Sequence, residues 1–152
     1  MDAKQALNII ALVGGIVALI ALFLPWAVHH GLYMTTNYSG IDILSADPFE
    51  DASWEKFTPI LSAIFGVITI VFAGIGLRSE SEMKIGILIA IFGLLIVICA
   101  LLFNGINDEG IHYFPILMDQ GMGSWVALVG GALMLVGGAA TMIPGITSQK
   151  RY

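Results

Sequence analysis

Three histidines and a run of acids are the residues of this chain whose chemistry could bind a metal or move a proton. His29 and His30 directly follow an apolar stretch that ends in Pro25-Trp26-Ala27-Val28, and His112 stands in a later loop. Imidazole nitrogens suit copper, zinc or nickel, and Asp42 or Asp108 would complete a shell. Adjacent histidines on a strand point to opposite faces, so His29 and His30 reach one ion only from an irregular backbone. They are therefore expected as interfacial side chains, with no bound metal and no cofactor. Glu50, Asp51 and Glu55 form an acidic cluster, but helical spacing leaves them on a wet surface with no nucleophile or metal beside them. The chain has no Gly-rich phosphate loop, no HExxH, no GxSxG and no basic patch for nucleic acid. A non-enzymatic role is the expectation. One further triplet has a chemistry of its own: Asn37-Tyr38-Ser39 is an N-x-S glycosylation acceptor.

The elements that must position these residues follow from composition. Of 152 residues, 58% are hydrophobic and 11% charged, more apolar surface than a soluble domain of this size can hide. Four stretches approach the roughly 20 residues needed to cross a hydrocarbon layer: about 7–28, 57–77, 85–103 and 125–144. The fold class expected is an all-α membrane protein, one domain over 1–152. It is a four-helix transmembrane bundle with a small extracytoplasmic β element made by the loops 29–56 and 104–124. No Asp, Glu, Lys, Arg or His falls inside the four spans, which argues against a pathway for charge through a single chain.

Orientation follows from the cations. Lys4, Arg78, Lys84, Lys150 and Arg151 lie in the two tails and the second loop, and only Lys56 lies in the first or third loop. Lys and Arg near span ends are retained on the cytoplasmic side, so both termini are expected there. The two outer loops then carry eight acids against one base. Lys4 ahead of an apolar core resembles the start of a secretory signal, but the core is too long and lacks a clear small-x-small site. An uncleaved anchor is expected. Cys99, the one cysteine, leaves no partner for an internal disulfide.

Something else must then hold the outer loops. The stretch Gly31 to Leu44 is rich in β-branched and aromatic residues, and its Ser39-Gly40 turn signal predicts a short hairpin turning between Tyr38 and Ile41. Asp47, Pro48 and Glu50 have the spacing of a capping box and would open a short helix carrying Trp54 at the lipid interface. Thr58-Pro59 repeats the cap-plus-proline device and opens the second span. Ile111 to Leu117 is a further strand candidate, restricted to an edge by Pro115. Trp26 beside Pro25 is expected in the headgroup zone at the end of the first helix.

Glycine supplies the remaining signal, 18 residues, most of them within the spans. Lipid gives no hydrophobic drive for helix association, so small residues mark where backbones approach closely. In the fourth span Gly123, Ala127, Gly130, Gly131, Gly137, Gly138 and Thr141 share about 120° of arc, interrupted by Met134. Ala11, Gly14, Gly15 and Ala18 form a similar stripe in the first span. These faces are expected to pack within the subunit or between subunits.

Four spans, cytoplasmic termini, a longer first outer loop beginning near Gly31-Leu32-Tyr33-Met34 and a shorter second one resemble the claudin and peripheral myelin protein tetraspans, whose outer loops form a small sheet. The chain is also similar to small prokaryotic four-span proteins with Pro-Trp at the end of the first helix and Ser-Gly-x-Asp further on, here Pro25, Trp26, Ser39, Gly40 and Asp42. Claudins carry Gly-Leu-Trp and two cysteines in the first loop; here Tyr33 stands for the tryptophan and both cysteines are missing. No functional residue is carried over from the resemblance. The function expected is assembly, either lateral self-association or service as an accessory subunit of a membrane complex, with membrane lipids and other membrane subunits as partners. The alternatives are an oligomeric channel or small-solute transporter, and an extracytoplasmic metal binder.

Overall fold

A computed structural model of the chain describes residues 3–30, 32–45, 57–78, 82–108 and 119–141. It contains helix α1 (Ala3–Ala21), strands β1 (Pro25–His30) and β2 (Thr35–Ser39), a single-turn helix α2 (Asp42–Ser45), and helix α3 (Thr58–Arg78). Helix α4 (Glu82–Asp108), strand β3 (Asp119–Gln120) and helix α5 (Met122–Ala140) complete it. Three of the long helices, α3, α4 and α5, are long and apolar enough to cross a membrane; α1 contributes a shorter apolar stretch, Gln5–Ala21.

The four long helices close into a ring. α5 packs on α1 and on α4, α1 packs on α3, and α3 packs on α4, while the diagonal pairs barely touch. Three of these seams are built from glycine. A Cβ on Gly14 would lie 2.6 Å from the Gly130 carbonyl oxygen, and one on Gly130 2.7 Å from that of Gly14. Gly15 and Gly66 face each other in the same way across α1 and α3, each with the other's carbonyl oxygen at 2.8 Å. Gly93 meets Gly131, and Gly86 meets Gly138, across α4 and α5. The fourth seam is aromatic: Phe92 of α4 stacks on Phe65 and Phe72 of α3 at centroid separations of 5.6 and 6.3 Å.

This geometry corrects the single stripe expected in α5. Gly123, Gly130 and Gly137 recur every seven residues and face Trp26 and α1. Ser124, Gly131 and Gly138 recur with the same spacing one position later, and the last two of these face α4. A seven-residue recurrence keeps one face against a left-handed partner, so two adjacent lines serve two neighbours. The predicted packing residues Gly14, Gly15, Ala18, Ala127, Gly130, Gly131, Gly137 and Gly138 are all buried in the bundle of one subunit.

The first span does not reach Val28. Helix α1 ends at Ala21, and Leu22, Phe23 and Leu24 tighten into bonds to the carbonyls of Leu19, Ile20 and Ala21 at 3.2, 3.0 and 3.1 Å. Pro25 has no N–H to continue the ladder and disfavours helical backbone at Leu24. The chain therefore leaves as a strand. Helices α3, α4 and α5 match the expected spans closely, with α4 reaching beyond both ends of 85–103 and α5 shifted to start at Met122.

The small sheet from two loops is present, with strand order β2-β1-β3 and both pairings antiparallel. Its turn is not at Ser39-Gly40. The hairpin turns between His30 and Thr35, because Thr36 to Tyr38 pair back onto Ala27 to His29, and Ser39-Gly40 instead leads into α2. Asp119 and Gln120 add the third strand against Val28 and Ala27. The strand candidate 111–117, the capping box at Asp47 to Glu50 and Trp54 lie outside the described residues.

Candidate functional site

Most of the described polar and aromatic side chains that the sequence singles out meet at one end of the bundle, where α1 and α4 finish and α3 and α5 begin. A helix C-terminus leaves its last four carbonyls without intrahelical partners. At the end of α1 those of Leu19, Ile20 and Ala21 are taken up by the chain that leaves it. Ala21 accepts from Trp26 Nε1 at 2.8 Å as well as from the Leu24 N–H, and Leu22 accepts from the Gly40 N–H at 2.9 Å.

Trp26 is the pivot of this end, and its position corrects the headgroup expectation. It is 0% exposed, with its ring edge-on to Phe103 of α4 at a centroid distance of 5.2 Å. Its carbonyl accepts the Gly121 N–H at 2.9 Å, tying β1 to the start of α5. Gly121 and Gly123 make room for it. A Cβ on Gly121 would overlap the Pro25 carbonyl oxygen, and one on Gly123 would lie 2.5 Å from Trp26 Cδ1. The buried indole thus joins α1, α4, β1 and α5, which explains why a tryptophan follows Pro25.

Ser39, Gly40 and Asp42 are equally structural. The Ser39 hydroxyl accepts the Asp42 N–H and the Asp42 carboxylate accepts the Ser39 N–H, both at 3.2 Å. That reciprocal pair is a capping box on the short helix α2. Gly40 between them packs under Leu22 and Pro59, where a Cβ would lie 2.8 Å from Pro59 Cβ. Asp42 thus has a structural task as the cap of α2.

Of the candidate ligands, His29, His30, Asp42 and Asp108 fall on described elements of the backbone. His29 and His30 occupy consecutive positions on β1 opposite Thr36 and Thr35. His112 and the cluster Glu50, Asp51 and Glu55 lie outside the described residues. Asp108 is the last residue of α4. Among the described residues no group of three His, Cys, Asp or Glu side chains could hold a metal ion. Asn37 is exposed on β2, an edge strand, within the intact Asn37-Tyr38-Ser39 triplet.

Inside the bundle, polar side chains mostly serve the backbone. Ser62 donates to the Thr58 carbonyl at 3.0 Å, Ser124 to that of Gly121 at 3.3 Å, and Thr141 to that of Gly138 at 2.6 Å. The exception is Thr69 near the middle of α3, fully buried with no partner for its hydroxyl among the described residues. Asn8, a buried amide of α1 beside Gly76, was legible only as a lone polar residue in an apolar run. No family model, no curated protein and no solved structure matches the chain.

Proposed function

We propose that this chain is a non-enzymatic, multi-pass protein of the cell membrane with both termini cytoplasmic, acting by assembly. It associates laterally with copies of itself or serves as an accessory subunit of a larger membrane complex. The observation that carries this reading is the use made of its polar groups: Trp26, Ser39, Asp42, Ser62, Ser124 and Thr141 all hold backbone of the same chain. Groups engaged in this way build a scaffold, and none of these six described side chains is set as a nucleophile beside a base. Ile89, Ile96, Phe103 and Met134 fill the bundle interior, so a solute path would have to run between subunits. Orientation rests on the cation bias: Arg78 and Lys84 lie at the end of the bundle opposite the sheet. Kinship with claudin-like tetraspans belongs to the same proposal, supported by a sheet drawn from two loops and by the structural use of Pro25, Trp26, Ser39, Gly40 and Asp42.

Because the glycine lines are occupied within one subunit, assembly must use the aliphatic flanks or the sheet end. The test is the mass of the complex extracted from its native membrane in mild detergent. A species well above 16.2 kDa, after detergent is subtracted, is expected. A lone chain across several mild detergents would overturn the assembly reading, and solute flux in proteoliposomes would replace it with transport.

A further inference from the structure

The turn between β1 and β2 presents large apolar side chains that no helix face explains. Leu32 is 95% exposed, Tyr33 99% and Met34 72%. All three lie between the strands, away from the aliphatic flanks that a spanning bundle turns to lipid. Charge adds a second observation. From Gln5 to Ile41 there is no Asp, Glu, Lys or Arg, whereas the remainder of the two loops holds the eight acids. The hairpin is thus the part of an acidic face that can approach lipid headgroups without carrying a carboxylate into them. Its position is the third. The hairpin starts three residues after α1 and is pinned there by Trp26, and Phe23, Ile41 and Phe57 form an exposed apolar rim at the same end, continuous with the helix flanks. A six-residue strand spans about 20 Å, long enough for a hairpin lying along the end of the bundle to bring its tip out over the surrounding leaflet.

We propose that the hairpin inserts Leu32, Tyr33 and Met34 into the adjoining leaflet of the protein's own membrane, as a shallow anchor that lays the sheet against the bilayer. The inference rests on the membrane-spanning reading above. Tyr33 suits this depth because its ring is apolar and its hydroxyl stays with the headgroups. Leu32 and Met34 enter the acyl boundary on either side of it.

Three single-cysteine variants of the full chain in a Cys99→Ala background test it: Leu32→Cys, Asn37→Cys and Val71→Cys. Each is labelled with an environment-sensitive fluorophore and reconstituted in phosphatidylcholine vesicles, with thermal stability checked against the parent. Quenching by nitroxide-bearing phosphatidylcholine is compared with quenching by iodide. The label at Val71, exposed at mid-helix, should be quenched by the lipid nitroxide alone and so report spanning itself. The label at Leu32 should lose fluorescence to the lipid nitroxide and emit to the blue, at every protein-to-lipid ratio, while that at Asn37 loses it to iodide. A Leu32 label that behaves like Asn37 overturns the anchor and leaves spanning intact. Shielding of Leu32 that vanishes on dilution with lipid overturns it in favour of a second copy. Quenching that requires nitroxide in added, protein-free vesicles overturns it in favour of an opposing membrane. A Val71 label open to iodide overturns both readings.

Discussion

Trp26 shows how one side chain can have two separable roles. Its indole N–H satisfies the Ala21 carbonyl, and its ring fills the space between Phe103 and the glycines of α5. Trp26→Phe keeps most of the ring contact and removes the donor, so it should cost about 1 kcal/mol of stability. Trp26→Ala also opens a cavity and should cost about 3–5 kcal/mol. Thermal unfolding in a fixed detergent reads both, and equal losses would show that the hydrogen bond carries the whole effect. Thr69 makes the opposite case. A buried hydroxyl without a partner carries a penalty of about 1–3 kcal/mol, so Thr69→Val should leave the protein as stable or raise its melting temperature. A clear loss would mean that the hydroxyl has a partner in the membrane. Neither role could be read from sequence. An X-Pro-Trp at the end of an apolar run has the same signature whether the indole faces lipid or folds back under the helix, and the difference is made by Gly121 and Gly123, far away along the chain. Asp42 looked like a spare ligand for the same reason, its partner Ser39 being visible only once the turn was known.

At the scale of elements, spacing decides which helix meets which. Gly123, Gly130 and Gly137 form one line on α5, and Ser124, Gly131 and Gly138 a second beside it, so a helix with no charged residue still distinguishes α1 from α4. Each van der Waals contact across such a seam contributes only about 0.1–0.2 kcal/mol, and the seam holds because close backbones make many of them. Gly130→Ala sets a methyl 2.7 Å from the Gly14 oxygen and 2.8 Å from the Ala18 nitrogen, both backbone that can move only with its helix. Overpacking of that kind should destabilise by about 1–3 kcal/mol. Gly74→Ala meets nothing within 4 Å and should be neutral, or gain up to about 1 kcal/mol from reduced backbone freedom. The comparison is made by melting both variants as purified subunits. If Gly130→Ala merely dissociated an oligomer and left the subunit's own melting untouched, the packing described here would be wrong. The small-residue faces themselves were legible in the sequence, because glycine clustering has one meaning in a lipid-facing helix. Their division between two partners was not, because an arc of about 120° spans two seams and only the ring order of helices assigns each edge.

For the whole molecule, hydropathy sets the number of long helices, and their alternating run brings the three strands to one end. The β element was foreseen in kind and misplaced in detail: turn signals at Ser39-Gly40 do not say whether they close a hairpin or cap a helix. The first span was overdrawn for a similar reason. Hydropathy continues unbroken from Leu22 to Val28, and only Pro25 and the pairing of Ala27 and Val28 with β2 and β3 show that the chain has already become a strand. The molecule is therefore an up-down-up-down bundle with its sheet at one end and the short α3–α4 connection at the other. A role in the membrane requires those two ends to lie on opposite sides of it. Asn37 on β2 and Lys84 at the start of α4 are both exposed and mark the two ends. The decisive measurement is labelling of Asn37→Cys and Lys84→Cys, each in a Cys99→Ala background, by an impermeant thiol reagent added to intact cells. Cysteine at 37 should react at once and cysteine at 84 only after the membrane is opened, whereas reaction of both in intact cells, or of 84 alone, would contradict the four-span arrangement with its sheet outside.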